Sequence, residues 1–254
     1  MLFSLQTTIT RLSIVVLLFL LTPLFASAAT ITWDGGGADN NWNTALNWAG
    51  GVVPGSGDNA VFDGTSTKNC TININISVIS ITINSGYTGT ITQGSGNTIT
   101  IGSGNWTQND GTFSGGDSAI TINSRFDLNA GVFTSTTGLL TCNTTLTGNI
   151  FDIATASTFN HSNGSVKFSG SNHFTIDTHS SSLYNVEVNK CGSCTASGTL
   201  DVDGDLILAS AGTSNIDIYL AGDLSGSATM HHSGSSGKIT FDGTGDQTST
   251  FTGR

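Results

Sequence analysis

A short alternating word returns along this chain at nearly constant intervals. Ile-Thr-Ile-Asn-Ser at 81–85 recurs at 120–124, with Ile-Thr-Ile-Gly-Ser at 99–103 between them and Leu-Thr-Cys-Asn-Thr at 140–144 after them. The steps are roughly 18, 21 and 20 positions, which is the signature of a stacked repeat architecture. A large apolar residue follows each copy: Tyr87, Trp106, Phe126 and Leu146. A second stripe keeps the same interval, through Gly89-Thr90-Ile91-Thr92, Gly111-Thr112-Phe113-Ser114 and Gly131-Val132-Phe133-Thr134.

Within each word, aliphatic and polar residues alternate. Strand side chains point to opposite faces in turn, so one face is apolar and the other carries Thr, Asn or Ser. The run from Thr71 to Ile76 shows the same alternation. Strands of three to five residues separated by Gly, Ser and Asn turns cannot make a wide open sheet. They can wind into coils whose strands pair in parallel with the next coil. One such coil buries too little to fold alone, so stability must be shared between neighbours. The expected fold is all-β: a parallel β-helix, or solenoid, of roughly 20-residue coils.

These expectations predict that Ile83, Ile101 and Ile122 stack, with Cys142 as the next inward residue. Later the repeat is looser. Gly204-Asp205-Leu206 returns as Gly222-Asp223-Leu224, and Gly164–Gly170 resembles Gly237–Gly243 about 73 positions on, a step of about four coils. The chain stops soon afterwards, which suggests an open-ended or truncated array.

The residues at 1–28 have the form of an export signal. Arg11 supplies the charge, Leu12 to Leu21 the apolar core and Ala26-Ser27-Ala28 the cleavage site. The apolar run is shorter than the ~20 residues that span a bilayer. The expected organisation is therefore a signal peptide over 1–28, an N-terminal cap over 29–64 and β-helix repeats over 65–254. The mature protein is expected to be secreted or at the cell surface, with no membrane insertion after cleavage.

Composition narrows the partners. The formal net charge is −10 and only 9% of residues are charged. The few Lys and Arg residues are scattered, so nucleic acid is not an expected partner. Glycans or a host or neighbouring cell surface fit better.

Trp33, Trp42 and Trp48 crowd together near the start of the mature chain. They form an end cap or, alternatively, stack on sugar rings. The passage from Thr32 to Gly64 carries Trp33, a glycine run, Trp42, Asn47-Trp48, Pro54 and then Asp58 before Val61-Phe62. This passage resembles the opening of bacterial β-helical surface proteins, including autotransporter passengers with associated β-strand repeats. The resemblance implies a right-handed parallel β-helix in an extracellular setting, and it carries over no catalytic residue.

Four cysteines follow an export signal, so disulfides are permitted. Cys191-Gly-Ser-Cys194 reads as a local disulfide clipping a turn, whereas Cys142 and Cys70 read as core residues whose partnership spacing does not give. Asp201, Asp203 and Asp205 alternate along one strand and are a weak Ca²⁺ candidate, although the bidentate Glu of a calcium loop is missing. Solvated strand-edge acids are the alternative. His161, His173, His179, His231 and His232 would bind a metal only if coils stacked two of them. No catalytic residue and no cofactor other than that Ca²⁺ is expected.

The leading function is an exported, non-enzymatic, adhesin-like surface solenoid. A carbohydrate-active β-helix enzyme, lyase- or hydrolase-like, would need carboxylates gathered in one cleft. Ice binding through Thr arrays is a third reading, suggested by Thr90-Ile91-Thr92 and Thr98-Ile99-Thr100, which are not one coil apart in the sequence.

Overall fold

The computed structural model describes residues 28–170, 172–227 and 237–252; side chains of 190–193 and 210–215 are also outside the described part. The expected leader over 1–28 lies outside it, Ala28 excepted. The chain is an all-β solenoid of parallel strands. Each coil has three sides. Face one stacks Cys70–Ile72, Thr90–Gln93, Thr112–Ser114, Gly131–Thr134 and Ser157–Asn160. Face two stacks Ile76–Val78, Ile99–Ile101, Ile120–Ile122, Leu139–Thr144 and Ser165–Gly170. Face three begins with Thr30–Thr32 and Asn59–Phe62 and continues through Ser80–Ile83, Trp106–Gln108, Phe126–Leu128, Gly148–Ile153 and His173–Asp177. The expected cap region therefore already contributes strands to the sheet.

Alternation decides the interior. In each short strand the apolar residues are buried and the intervening Thr, Ser or Asp faces out. The second sequence stripe holds its register: Ile91, Phe113 and Phe133 lie over one another. Gly131 shows why glycine turns the corner. Its φ is 80°, and a Cβ there would sit 2.4 Å from the Gly111 carbonyl oxygen of the coil below.

The first sequence word is only partly in register. Ile101, Ile122 and Cys142 stack as expected. Ile83 does not belong to that column: it lies on face three over Phe62, and Val78 is the residue under Ile101. The same alternating word serves two faces, because any half-buried strand reads that way. The coil step here is 23 residues. Likewise Trp106, Phe126 and Phe151 form the aromatic column, whereas Tyr87 packs on Phe62 and Leu146 is partly exposed. The alternation from Thr71 to Ile76 breaks at the corner, where Ile74 turns outward.

The later repeats divide in the same way. Leu206 lies under Leu224, so the Gly-Asp-Leu pair is a true one-coil repeat. The longer similarity is not: 165–170 is on face two, whereas 239–241 pairs with 218–220, which continues face one. From Asn185 onward the strands lengthen. Asn185–Val202 and Leu206–Leu220 run across all three faces, bending at register shifts, one of which holds Gly198 at a φ of 88°.

Candidate functional site

No helix among the described residues is long and apolar enough to cross a membrane. Three outward surfaces and one buried cluster are the places where chemistry could reside. Face one presents two parallel columns. Thr90, Thr112 and Val132 stack in one, and Thr71, Thr92, Ser114 and Thr134 in the other. Ile91, Phe113 and Phe133 point inward between them and fix their spacing. Adjacent rungs of such a ladder are ~4.8 Å apart. No charged residue interrupts these columns, although the whole chain carries −10.

Face two begins in the same style, with Ser77, Thr100, Thr121 and Thr141 stacked outward. Next in that column stand Lys167 and Glu187, paired at 2.7 Å. Beside them lies a groove of about 520 Å³ lined by Gly138, Leu139, Ser165, Asn185, Glu187 and Ile207. It is a shallow trough along a corner, where Leu139 and Ile207 are partly exposed.

Face three carries acid. Asp127, Asp152 and Asp177 stack in three successive coils. Like charges directly opposite repel. Burial pushes the Asp127 carboxyl above its ordinary value, Arg125 opposes that shift and Asp152 adds to it. The Asn105 side-chain amide donates to Asp127 at 3.0 Å. Arg125 itself donates to the carbonyls of Asn149 and Thr147. At the other end of the column His179 Nδ1 is 2.8 Å from Asp177. Among the described residues, Asp152, Asp177 and His179 are the group with ligand atoms close enough for a metal ion.

The aspartates singled out in the sequence are not that group. Asp203 accepts a hydrogen bond from the Ser182 hydroxyl at 2.7 Å and lies 3.3 Å from His161 Nε2. Asp205 accepts the Asp223 N–H one coil on, at 2.9 Å, and its own N–H donates to Asn185. Asp223 in turn accepts the Thr248 N–H. The repeated Gly-Asp-Leu is thus a column of corner staples. Asp201 has its carboxyl raised by burial first and then by Asp203 and Asp242. Sequence reasoning missed Asp152 and Asp177 because its eye was on a single strand; columns arise between coils.

Trp33, Trp42 and Trp48 are buried against Phe62 and one another, with ring centroids 4.6 to 6.0 Å apart. No ring face is free for a sugar, so they close the first coils as a cap. Trp48 Nε1–H donates to the Trp42 carbonyl, and Trp33 Nε1–H to that of Lys68. Within this cluster Asn47 is fully buried. Its Oδ1 accepts the Gly37 N–H at 2.9 Å, and its Nδ2 donates to Asp39 Oδ1 at 3.1 Å and to the Asn41 carbonyl at 3.0 Å. Lys68 reaches in from the next segment. Its Nζ donates to the carbonyls of Gly35 and Gly37 and stands 3.4 Å from Asn47 Oδ1.

Cys70 and Cys142 are buried, free thiols on different faces. Burial pushes Cys142 up to about 12 and Cys70 up as well. Cys194 is buried above Phe174, while the Cys191 side chain lies outside the described residues, so the expected clip remains an expectation. His161 stacks on Tyr184, His173 is exposed, and His231 and His232 lie outside the described residues. No family model, no curated protein and no solved structure matches the chain.

Proposed function

We propose that the protein is an exported bacterial surface solenoid without catalytic activity, an adhesin-like stalk that makes contact through its uncharged polar face one. The observation that carries this reading is face one: rigid, repetitive and uncharged across successive coils. Such a surface suits neutral glycans, which offer hydroxyls at regular intervals, better than it suits a charged polymer. The N-terminal passage from Trp33 to Phe62 supports a surface setting through its resemblance to β-helical passengers. The groove beside Glu187 argues against hydrolysis, because its carboxylates are already engaged: Glu187 with Lys167, and Asp205 with the Asp223 N–H.

The test is binding of the purified full chain to cells and to an array of neutral glycans. Thr92→Lys with Thr112→Lys puts charge on face one and should reduce binding at least tenfold. Thr100→Lys with Thr121→Lys, on face two, should leave it intact. Inert behaviour everywhere would leave only a spacer role, and turnover of any polysaccharide would replace the reading with an enzymatic one.

One observation favours a second reading. Thr90-Ile91-Thr92 lies directly beneath Thr112-Phe113-Ser114, so threonine columns one coil apart do exist, although Thr98-Ile99-Thr100 belongs to another face. Ice binding would show as thermal hysteresis that the face-one pair abolishes.

A further inference from the structure

We propose that Lys68 and Asn47 form an intramolecular isopeptide bond that ties the N-terminal cap to the first coil. Four groups converge on the Asn47 amide. The Lys68 amine stands 3.4 Å from Oδ1, on the carbonyl side. The Gly37 N–H donates to that oxygen at 2.9 Å, where it polarises the carbonyl and would hold the negative charge of a tetrahedral intermediate. Asp39 accepts from Nδ2 at 3.1 Å, on the leaving-group side. The Asn41 carbonyl also accepts from Nδ2, at 3.0 Å, and Asn47 itself is fully buried.

The partners are also held in place. The Lys68 carbonyl accepts from both the Trp33 indole and the Tyr87 hydroxyl, each at 3.0 Å, so its backbone is fixed on two sides. Proximity of this kind makes a slow amide exchange effectively unimolecular.

The step balances without an oxidant or cofactor. Lys68 first gives one proton to water. The neutral Nζ then adds to Cγ of Asn47, forming the Nζ–Cγ bond. The second Nζ proton passes across the tetrahedral carbon to Nδ2, which Asp39 holds by its hydrogen bond. The Cγ–Nδ2 bond breaks, ammonia leaves and a secondary amide remains. Hydrogen bonds from the Asn41 N–H and the Thr44 hydroxyl hold the Asp39 carboxyl below the ordinary value, so it stays ionised and favours the positive charge that develops on the leaving Nδ2.

The inference is independent of what the faces bind. It is tested by the intact mass of the folded, reduced full chain. The expected mass is lower than the sequence mass by one ammonia, and digestion should yield a branched peptide joining the segments around Asn47 and Lys68. The branched peptide is decisive, because a succinimide at Asn163-Gly164 would also lose ammonia. Lys68→Arg and Asn47→Ala should restore the full mass, and Asp39→Ala should restore it while leaving both reacting residues present. A folded wild-type chain of full mass, or one with no branched peptide, overturns the proposal and leaves Lys68 as a hydrogen-bonding staple.

Discussion

Between Trp106 and Phe168 columns of rings run through the interior among aliphatic neighbours, whereas between Val186 and Leu224 the buried hydrophobic side chains among the described residues include no ring. In the first region Phe113, Phe133 and Phe159 stack nearly flat on one side, and Phe126 stacks on Phe151 on another. The two stacks meet edge to face at Phe126 and Phe133. The strands around them are mostly short and the corners between them sharp. In the second region the corner staples recur every 20 and then 18 residues, and the three faces merge into continuous bent strands. A coil can thus be closed by turn chemistry around bulky rings or by bulges around smaller groups. Parallel pairing is kept in both.

That contrast can be broken by truncation. Phe133 touches Trp106, Phe113, Phe126 and Phe159. Phe133→Ala should cost about 3–5 kcal/mol in urea unfolding. Val188→Ala, in the aliphatic region, should cost about 2 kcal/mol. Equal losses would mean that the rings are replaceable filling and that the two regions do not differ as described.

Acid sharpens the comparison at the corners. Asp117 accepts the Gly96 N–H and the Ser95 hydroxyl of the coil below, which with Ser118 hold it at about 2, against an ordinary 3.8. Its folded value is depressed, so its stabilisation is present above the ordinary value and is lost as pH falls toward about 2. Asp201, in the later region, is raised, chiefly by burial. Its charged form is disfavoured in the fold, so stability there rises as pH falls through the raised value. Thermal melts between pH 5 and about 2 should therefore show a steeper acid limb for wild type than for Asp117→Asn, while Asp201→Asn should stabilise at neutral pH.

The smallest effect is chemical. Cys70 and Cys142 are dry and their thiols are pushed upward, so an alkylating reagent should label neither in the native state and both after unfolding. Native labelling of Cys142 would mean that the coil around Ile122 opens far more readily than its packing implies.

Much of this was legible in the sequence, and the limits are physical. The period revealed the solenoid, because stacking demands a nearly constant coil length. Alternation revealed which side chains point inward, as at Ile101, Ile122 and Cys142. What it cannot reveal is which face a word occupies: Ile83 reads as a member of the Ile101 column but lies one face away, over Phe62. The acid column on face three and the Asn47–Lys68 contact depend on residues brought together only after winding. Their sequence separations vary with each corner, so no spacing rule points to them.

The threonine hydroxyls at 71, 90, 92 and 112 make no hydrogen bond to another described residue. No described side chain depends on those hydroxyls, so this part of face one resembles a tiled wall whose facing can be exchanged while the masonry stands. A lineage carrying this chain could revise what the wall touches, tile by tile, without having to relearn how to fold.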